Sequence, residues 1–175
     1  MIIINQNEGL KFVTEALSKD DARPSLQLLH VTEEFIEATD GHRLHRIDNK
    51  KPGTDDERLI EPGLYHVLKA KKAEVIISEY TSNDVTYPDT NRIWPDVSGK
   101  KEFNLRDAKF NNSNMDLDVF YSRLVKEMNE SESVCYKYFK SIYEAGFDKV
   151  FISEAYSALV FLNGEKSALL MPIRF

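Results

Sequence analysis

The chain has 175 residues, 42% of them hydrophobic and 30% charged, which are ordinary globular values that exclude a disordered or fibrous class. That length suits one globular domain or two very small ones and allows burial of roughly 70% of the surface an unfolded chain exposes. The net charge of -6 excludes a uniformly basic nucleic-acid-binding surface but leaves room for a local basic lining.

Cys135 is the only cysteine, so an internal disulfide framework and any CxxC zinc or redox motif are excluded. A reducing, cytoplasmic home is expected. The opening "MIII" passes directly into "NQNEG", too short for the core of a signal peptide, and no apolar run approaches the roughly 18 residues of a membrane span.

In chain order, Asn5 followed by Glu8 imitates a capping box, and Leu10, Val13 and Leu17 with Phe12 and Ala16 form an apolar stripe of helical period. A helix over about 8–19 is expected. Beyond "RPS", the segments 26–31, 35–39 and 42–47 are short and mostly alternating, with "TEE" and "DG" as turn chemistry, which reads as a three-stranded meander.

The last two segments lie in "FIEATDGHRLHRI", residues 35–47, where acids, histidines and arginines crowd around an Asp-Gly pair. Asp40-Gly41 supplies the positive φ of a tight hairpin, and Ile36, Ala38, Leu44 and Ile47 supply core contacts. The turn alone does not account for so dense a polar set.

The polar stretch "NKKPGTDDER" (49–58) reads as a loop, and 64–68 with 75–80 as a hairpin around the Lys-rich "KAKK" corner. "YPDTNRIWPDVSGKK" (87–101) carries two prolines and a glycine, reads as a connector, and divides the chain into halves 1–98 and 99–175 that together make one domain.

In the second half, Asp116 or Asp118 is expected to cap a helix carrying Phe120, Leu124, Val125 and Met128. Another helix, Tyr136 to Ala145, closes on Gly146 in the left-handed conformation. Strands at 150–153, 158–162 and 167–172 form a second meander with Asn163-Gly164 as its turn. The fold class is α+β, with a helix-plus-antiparallel-meander unit near each end.

Three segments, in this order, resemble the bacterial replicative sliding clamp, the ring-shaped processivity factor of DNA polymerase. "ATDGHRL" (38–44) resembles that family's signature turn almost letter for letter, "YPDTNRIWP" (87–95) is similar to its interdomain "FPDY" type of segment, and "ALLMPIRF" (168–175) resembles its C-terminal "VVMPMRL". The match is good over about 26–47, 87–95 and 134–175 and poor through 48–86 and 100–133. The resemblance implies the DNA clamp fold. Family clamps string three domains on each of two chains to close a ring, whereas this chain has room for about one. Such compact, divergent clamps are expected in phages or mobile elements.

The resemblance also implies roles. In the family these segments capture short linear peptides of polymerases, clamp loaders and repair factors. By motif match the peptide-binding residues here are Thr39, Gly41, His42, Arg43 and Leu44, with Pro88 and Ile93, and with Leu169, Met171, Pro172 and Ile173. Gly allows close approach, Leu and Met offer an adaptable floor, and His and Arg offer directional donors. Phe175 and Ile173 depart from the family's aliphatic terminus and flexible Met, which implies a different peptide preference.

Double-stranded DNA, in the family, meets Lys and Arg on helices that line the hole. The matching candidates are Lys11, Lys19 and Arg23 from the first helix, and Lys137 and Lys140 from the last. Ordinary solvated helix faces are the plain alternative. Homo-oligomerisation through edge strands is expected, and no cofactor.

A metal site built from Asp40, His42 and His45 is disfavoured, because the two histidines fall on opposite faces of an alternating strand. No P-loop, GxGxxG, GxSxG or HExxH occurs, which disfavours an enzyme. The rival function is a clamp-derived peptide-binding module that regulates or mimics a host clamp without forming a ring.

Overall fold

The computed structural model describes residues 1–5, 7–51, 53–54, 57–71, 73–82, 84–105, 115–128, 132–153 and 158–174. The chain divides into two compact units, Met1–Thr90 and Asn91–Phe175.

The first unit opens with a strand the sequence reading passed over, β1 (Ile2–Asn5), followed by helix α1 (Glu8–Thr14). The helix is shorter than expected, and its cap is Asn7 rather than Asn5. The Asn7 side chain accepts a hydrogen bond from the Leu10 N–H at 2.6 Å, satisfying one of the first-turn donors. Asn5 is instead the last residue of β1, paired with Glu74.

A single 3₁₀ turn (Pro24–Gln27) leads into the meander β2 (Leu29–Val31), β3 (Phe35–Thr39) and β4 (Arg43–Asp48). The hairpin β5 (Gly63–Lys71) and β6 (Glu74–Glu79) returns to pair with β2 and β1. The order is β1-β6-β5-β2-β3-β4, antiparallel at each pairing.

Register explains the two faces of this sheet. Val31, Ile36 and Ile47 lie opposite one another on one face, joined there by the Ala38–His45 pair; His30, Glu37 and Arg46 form a row on the other. Helix α1 covers the first face with Leu10, Phe12 and Val13, all buried. It approaches β4 closely because Gly9 has no side chain: a Cβ there would meet Ile47 at 3.3 Å.

The loop after β4 is held by Asn49, which is buried and uses its whole amide. Its nitrogen donates to the carbonyls of Thr32 and Ile60, and its oxygen accepts from the N–H groups of Leu59 and Ile60.

The second unit begins within a 3₁₀ turn (Thr90–Ile93) and contains β7 (Glu102–Asn104), α2 (Met115–Lys126), β8 (Glu132–Ser133) and α3 (Tyr136–Glu144). Asp116 and Asp118 lie inside α2, so neither is its cap. After α3 come Gly146 at φ +83° and the meander β9 (Lys149–Ile152), β10 (Leu159–Asn163) and β11 (Lys166–Leu170), in the order β11-β10-β9-β7.

The core of this unit is aromatic: Phe139 of α3 packs on Phe161 of β10 with ring centres 5.9 Å apart, and Phe147 meets the same ring at 6.1 Å. Strand β11 stops before Pro172, which has no N–H to donate, and a separate strand β12 (Ile173–Arg174) pairs with β8. The expected strand 167–172 therefore ends early, at Leu170. Among the described residues no helix is long and apolar enough to cross a membrane.

Candidate functional site

The signature turn is a two-residue hairpin loop displaced by one from the expected pair. Thr39 pairs with Leu44 and the Asp40 N–H bonds to the Arg43 carbonyl, so the loop is Gly41-His42 rather than Asp40-Gly41. Asn163-Gly164 shows the same displacement, because Asn163 remains paired with Lys166. In both hairpins the Asx residue closes the ladder.

Internal hydrogen bonds make this loop rigid. Asp40 Oδ1 accepts from the N–H groups of His42 (2.9 Å) and Arg43 (3.1 Å), while Oδ2 receives Arg43 Nε at 3.1 Å. Thr39 Oγ1 donates to the Arg43 carbonyl at 2.7 Å and accepts from the Gly41 N–H. Arg43 also donates to the Glu15 carbonyl, tying the loop to the end of the first helix. Its guanidinium is thus committed internally, and His42 is the donor side chain that stands exposed at the turn.

Gly41 is required here on two counts. Its φ of +89° is a region that side chains resist, and an added Cβ would sit 2.6 Å from Arg23 Nη1. The Arg23 guanidinium therefore lies against the turn, steadied by Asp20 at 2.8 Å. Sequence reading assigned Arg23 to a DNA-facing helix; the helix ends at Thr14, and both Lys19 and Arg23 follow it. Arg23 is the residue that sequence reasoning missed at this turn, and only the Arg-Pro pair just before the meander could have flagged it.

Leu44 is 1% exposed, as is Leu169, which pairs with Val160 in the second unit's meander. Both are core residues rather than an open floor. Of the remaining residues assigned by resemblance, Pro88 is exposed in the first unit, and Thr39 is buried. In the second unit Ile93 is 36% and Ile173 43% exposed, with Met171 and Pro172 half-buried in the segment joining β11 to β12. Phe175 falls outside the described residues.

The polar density around the turn is explained by two separate arrangements on the two faces of β3 and β4. On the α1 face, His45 is fully buried and stacks on Phe12 with ring centres 3.9 Å apart. Its Nδ1 lies 2.8 Å from the Phe12 carbonyl, which can only accept, so the proton sits on Nδ1 and leaves Nε2 as a buried lone pair without a partner. Burial holds this imidazole neutral, pushing its pKa down to about 3.

On the opposite face, the buried Glu37 carboxylate collects four donors. Oε1 receives His30 Nδ1 at 2.8 Å and Thr90 Oγ1 at 2.7 Å, and Oε2 receives Arg46 Nε at 3.1 Å and Nη2 at 2.8 Å. Burial alone would push the Glu37 carboxyl up. The hydrogen bonds from His30 and Thr90 and the Arg46 charge outweigh it and hold the carboxyl below its usual range.

His42 and His45 thus share no ligand geometry, and among the described residues no group of His, Cys, Asp or Glu is placed to hold a metal ion. Of the basic residues assigned to DNA, Lys137 and Lys140 are exposed on α3, Lys140 lying 3.9 Å from Glu144. Lys11 sits on the last turn of α1, 3.7 Å from Glu15.

No protein-family model matches this sequence, and no curated protein matches it. Solved structures do. The chain is similar to the DNA polymerase III beta subunit of Pseudomonas aeruginosa, at 17% identity with a TM-score of 0.56, over 99% of this chain and 66% of that one. It is similar to the sliding clamp of Bartonella birtlesii bound to griselimycin, at 17% identity with a TM-score of 0.59, over 99% and 66%. The beta subunit of Thermotoga maritima matches at 12% identity with a TM-score of 0.59, over 99% and 65%. The chain therefore has the mixed α/β fold of the sliding clamps and aligns with about two thirds of their length.

Proposed function

We propose that this chain is a sliding-clamp-like processivity factor, which holds double-stranded DNA for a polymerase and binds short linear peptides of replication proteins in the cytoplasm. The observation that carries the reading is the pre-formed Gly41-His42 turn of an "ATDGHRL" segment on a clamp fold. A turn braced by Asp40, Thr39 and Arg43 loses little entropy when a partner docks, and that is how a small recognition surface gains affinity.

In this reading each unit offers its own accessible members of the assigned set: the exposed Gly41, His42 and Pro88 in the first, and the exposed Ile93 and Ile173 with the half-buried Met171 and Pro172 in the second. Arg23, lying against Gly41, joins them as a charged donor. Thr39, Arg43, Leu44 and Leu169 act by holding the backbone beneath. Lys11, Lys137 and Lys140 attract phosphate. The chemistry is binding, with no catalytic step.

Isothermal titration of the chain with a short peptide rich in Gln, Leu and Phe, taken from a partner polymerase, tests the proposal. Met171→Ala should weaken binding by on the order of 10-fold if it anchors the peptide. Equal affinity for both chains contradicts the assignment.

A second reading, a peptide-binding module that forms no ring, draws on Lys11 and Lys140, two of the DNA candidates, which lie beside Glu15 and Glu144. Mass in solution separates the two. A particle of several 20.2 kDa chains supports a ring, whereas a persistent monomer supports the module.

A further inference from the structure

The Glu37 cluster is larger than sheet pairing needs. His30, Glu37 and Arg46 stand opposite one another on β2, β3 and β4, and Arg46 also lies over the Phe35 ring at 3.7 Å. Two further members come from beyond the sheet, in the segment that follows β6. Thr90 is buried; its hydroxyl donates to Glu37 and accepts from Arg46 Nη2 at 3.2 Å, so both of its hydrogen-bonding roles are used. The Tyr87 ring stacks on His30 at 4.4 Å.

Between these two anchored residues lie Pro88 and Asp89, both exposed. Segment 87–90 contributes no strand to either sheet, so the Tyr87 stack and the Thr90 hydrogen bonds to this cluster fix its course. A buried carboxylate is costly to maintain, and an apolar row would pack these strands as well. What the carboxylate adds is a directional hold on Thr90.

We propose that Glu37 is a positioning residue: with Arg46 and His30 it forms a latch that fixes Tyr87 to Thr90 and so presents Pro88 for peptide binding. The part concerning peptide rests on the function proposed above; the latch itself does not. Glu37 touches no ligand and acts through Thr90.

The test uses hydrogen exchange and peptide titration on the full chain with Thr90→Val, which keeps the side-chain shape and removes the hydroxyl, and with Thr90→Ser, which restores it. Glu37→Gln serves as the second site, and its thermal melt is recorded because a buried charge pair is being altered. The latch predicts that Thr90→Val, and Glu37→Gln with it, raises amide exchange across 85–91, by about 10-fold or more in the Val chain and in the same direction in the Gln chain, while β3 and β4 stay protected. It also predicts that Thr90→Ser exchanges like the parent, and that peptide affinity falls in the loosened chains and not in the Ser chain. Parent-like exchange in Thr90→Val overturns the latch, as does equal loosening in the Ser chain. Faster exchange with unchanged peptide affinity overturns the presentation of Pro88. A parent chain that binds no peptide overturns the proposed function instead, and the exchange result alone then decides the latch.

Discussion

His45 and Glu37 sit on neighbouring strands, are both buried, and make the fold sensitive to acid in the same direction. The unfolded chain takes up a proton on His45 below about pH 6.5, but the folded chain does not until near pH 3. Stability is therefore complete above the higher value and is lost as pH falls through the window between them, at up to about 1.4 kcal/mol per pH unit. Glu37, held below its ordinary 4.5, adds to the loss in the lower part of that window, because only the unfolded carboxyl is then protonated. Urea unfolding between pH 7 and pH 4.5 should show this slope, and His45→Phe should remove most of it. A flat profile would rule out a buried neutral His45. Gly41→Ala should cost about 1–2 kcal/mol from its positive φ alone and displace Arg23, which unfolding and titration report separately. Leu44→Ala should behave as a core truncation costing about 2–5 kcal/mol of stability, in contrast to the half-buried Met171, whose loss should spare the fold.

Among the elements, those carried by periodicity were legible. The meanders of both units, the β5–β6 hairpin and the helix closing on Gly146 emerge close to their expected places, because alternating Ile, Val and Leu with Gly-containing turns leaves few other solutions. The misses have identifiable causes. Strand β1 is a short uncharged run at a sheet edge, and β7, β8 and β12 have only two or three residues each, too few for a period to register. Helix α1 ends early although its apolar stripe continues to Leu17, and the stripe could not reveal that stop. Its start at Glu8 falls where expected, but its cap does not: pairing with β6 claims Asn5 for β1, and Asn7 caps the helix instead. Asn7→Ala should cost about 1 kcal/mol, read as a lower unfolding midpoint at constant m-value. Of the candidate site, the turn and the Met171-Pro172-Ile173 segment were legible as motifs. Arg23 against Gly41 and the Glu37 cluster were not, since they join residues distant in sequence through side-chain contacts that no spacing rule encodes.

For the whole molecule, an acidic protein of net charge -6 is compatible with holding DNA when a few exposed lysines do the work, as α3 offers with Lys137 and Lys140. Reversing Lys11, Lys137 and Lys140 to Glu should shorten retention on DNA at low salt, and the difference from the parent should vanish at high salt. Unchanged retention at low salt would remove these residues from the DNA-facing set. The clamp fold is carried here by a chain that aligns with 66% of the Pseudomonas aeruginosa subunit, so the proposed function is best asked through the proposed binding surface. The most direct measurement is calorimetric titration of the parent, Met171→Ala and a chain shortened by its last five residues with one polymerase-derived peptide, with a thermal melt of each. A clamp-like binder gives saturable binding by the parent, weakening of about 10-fold in Met171→Ala at a parent-like melting temperature, and none detectable in the shortened chain, which loses the β12–β8 pairing and must still melt cooperatively. Equal binding by all three chains, or none by a folded parent, contradicts the account.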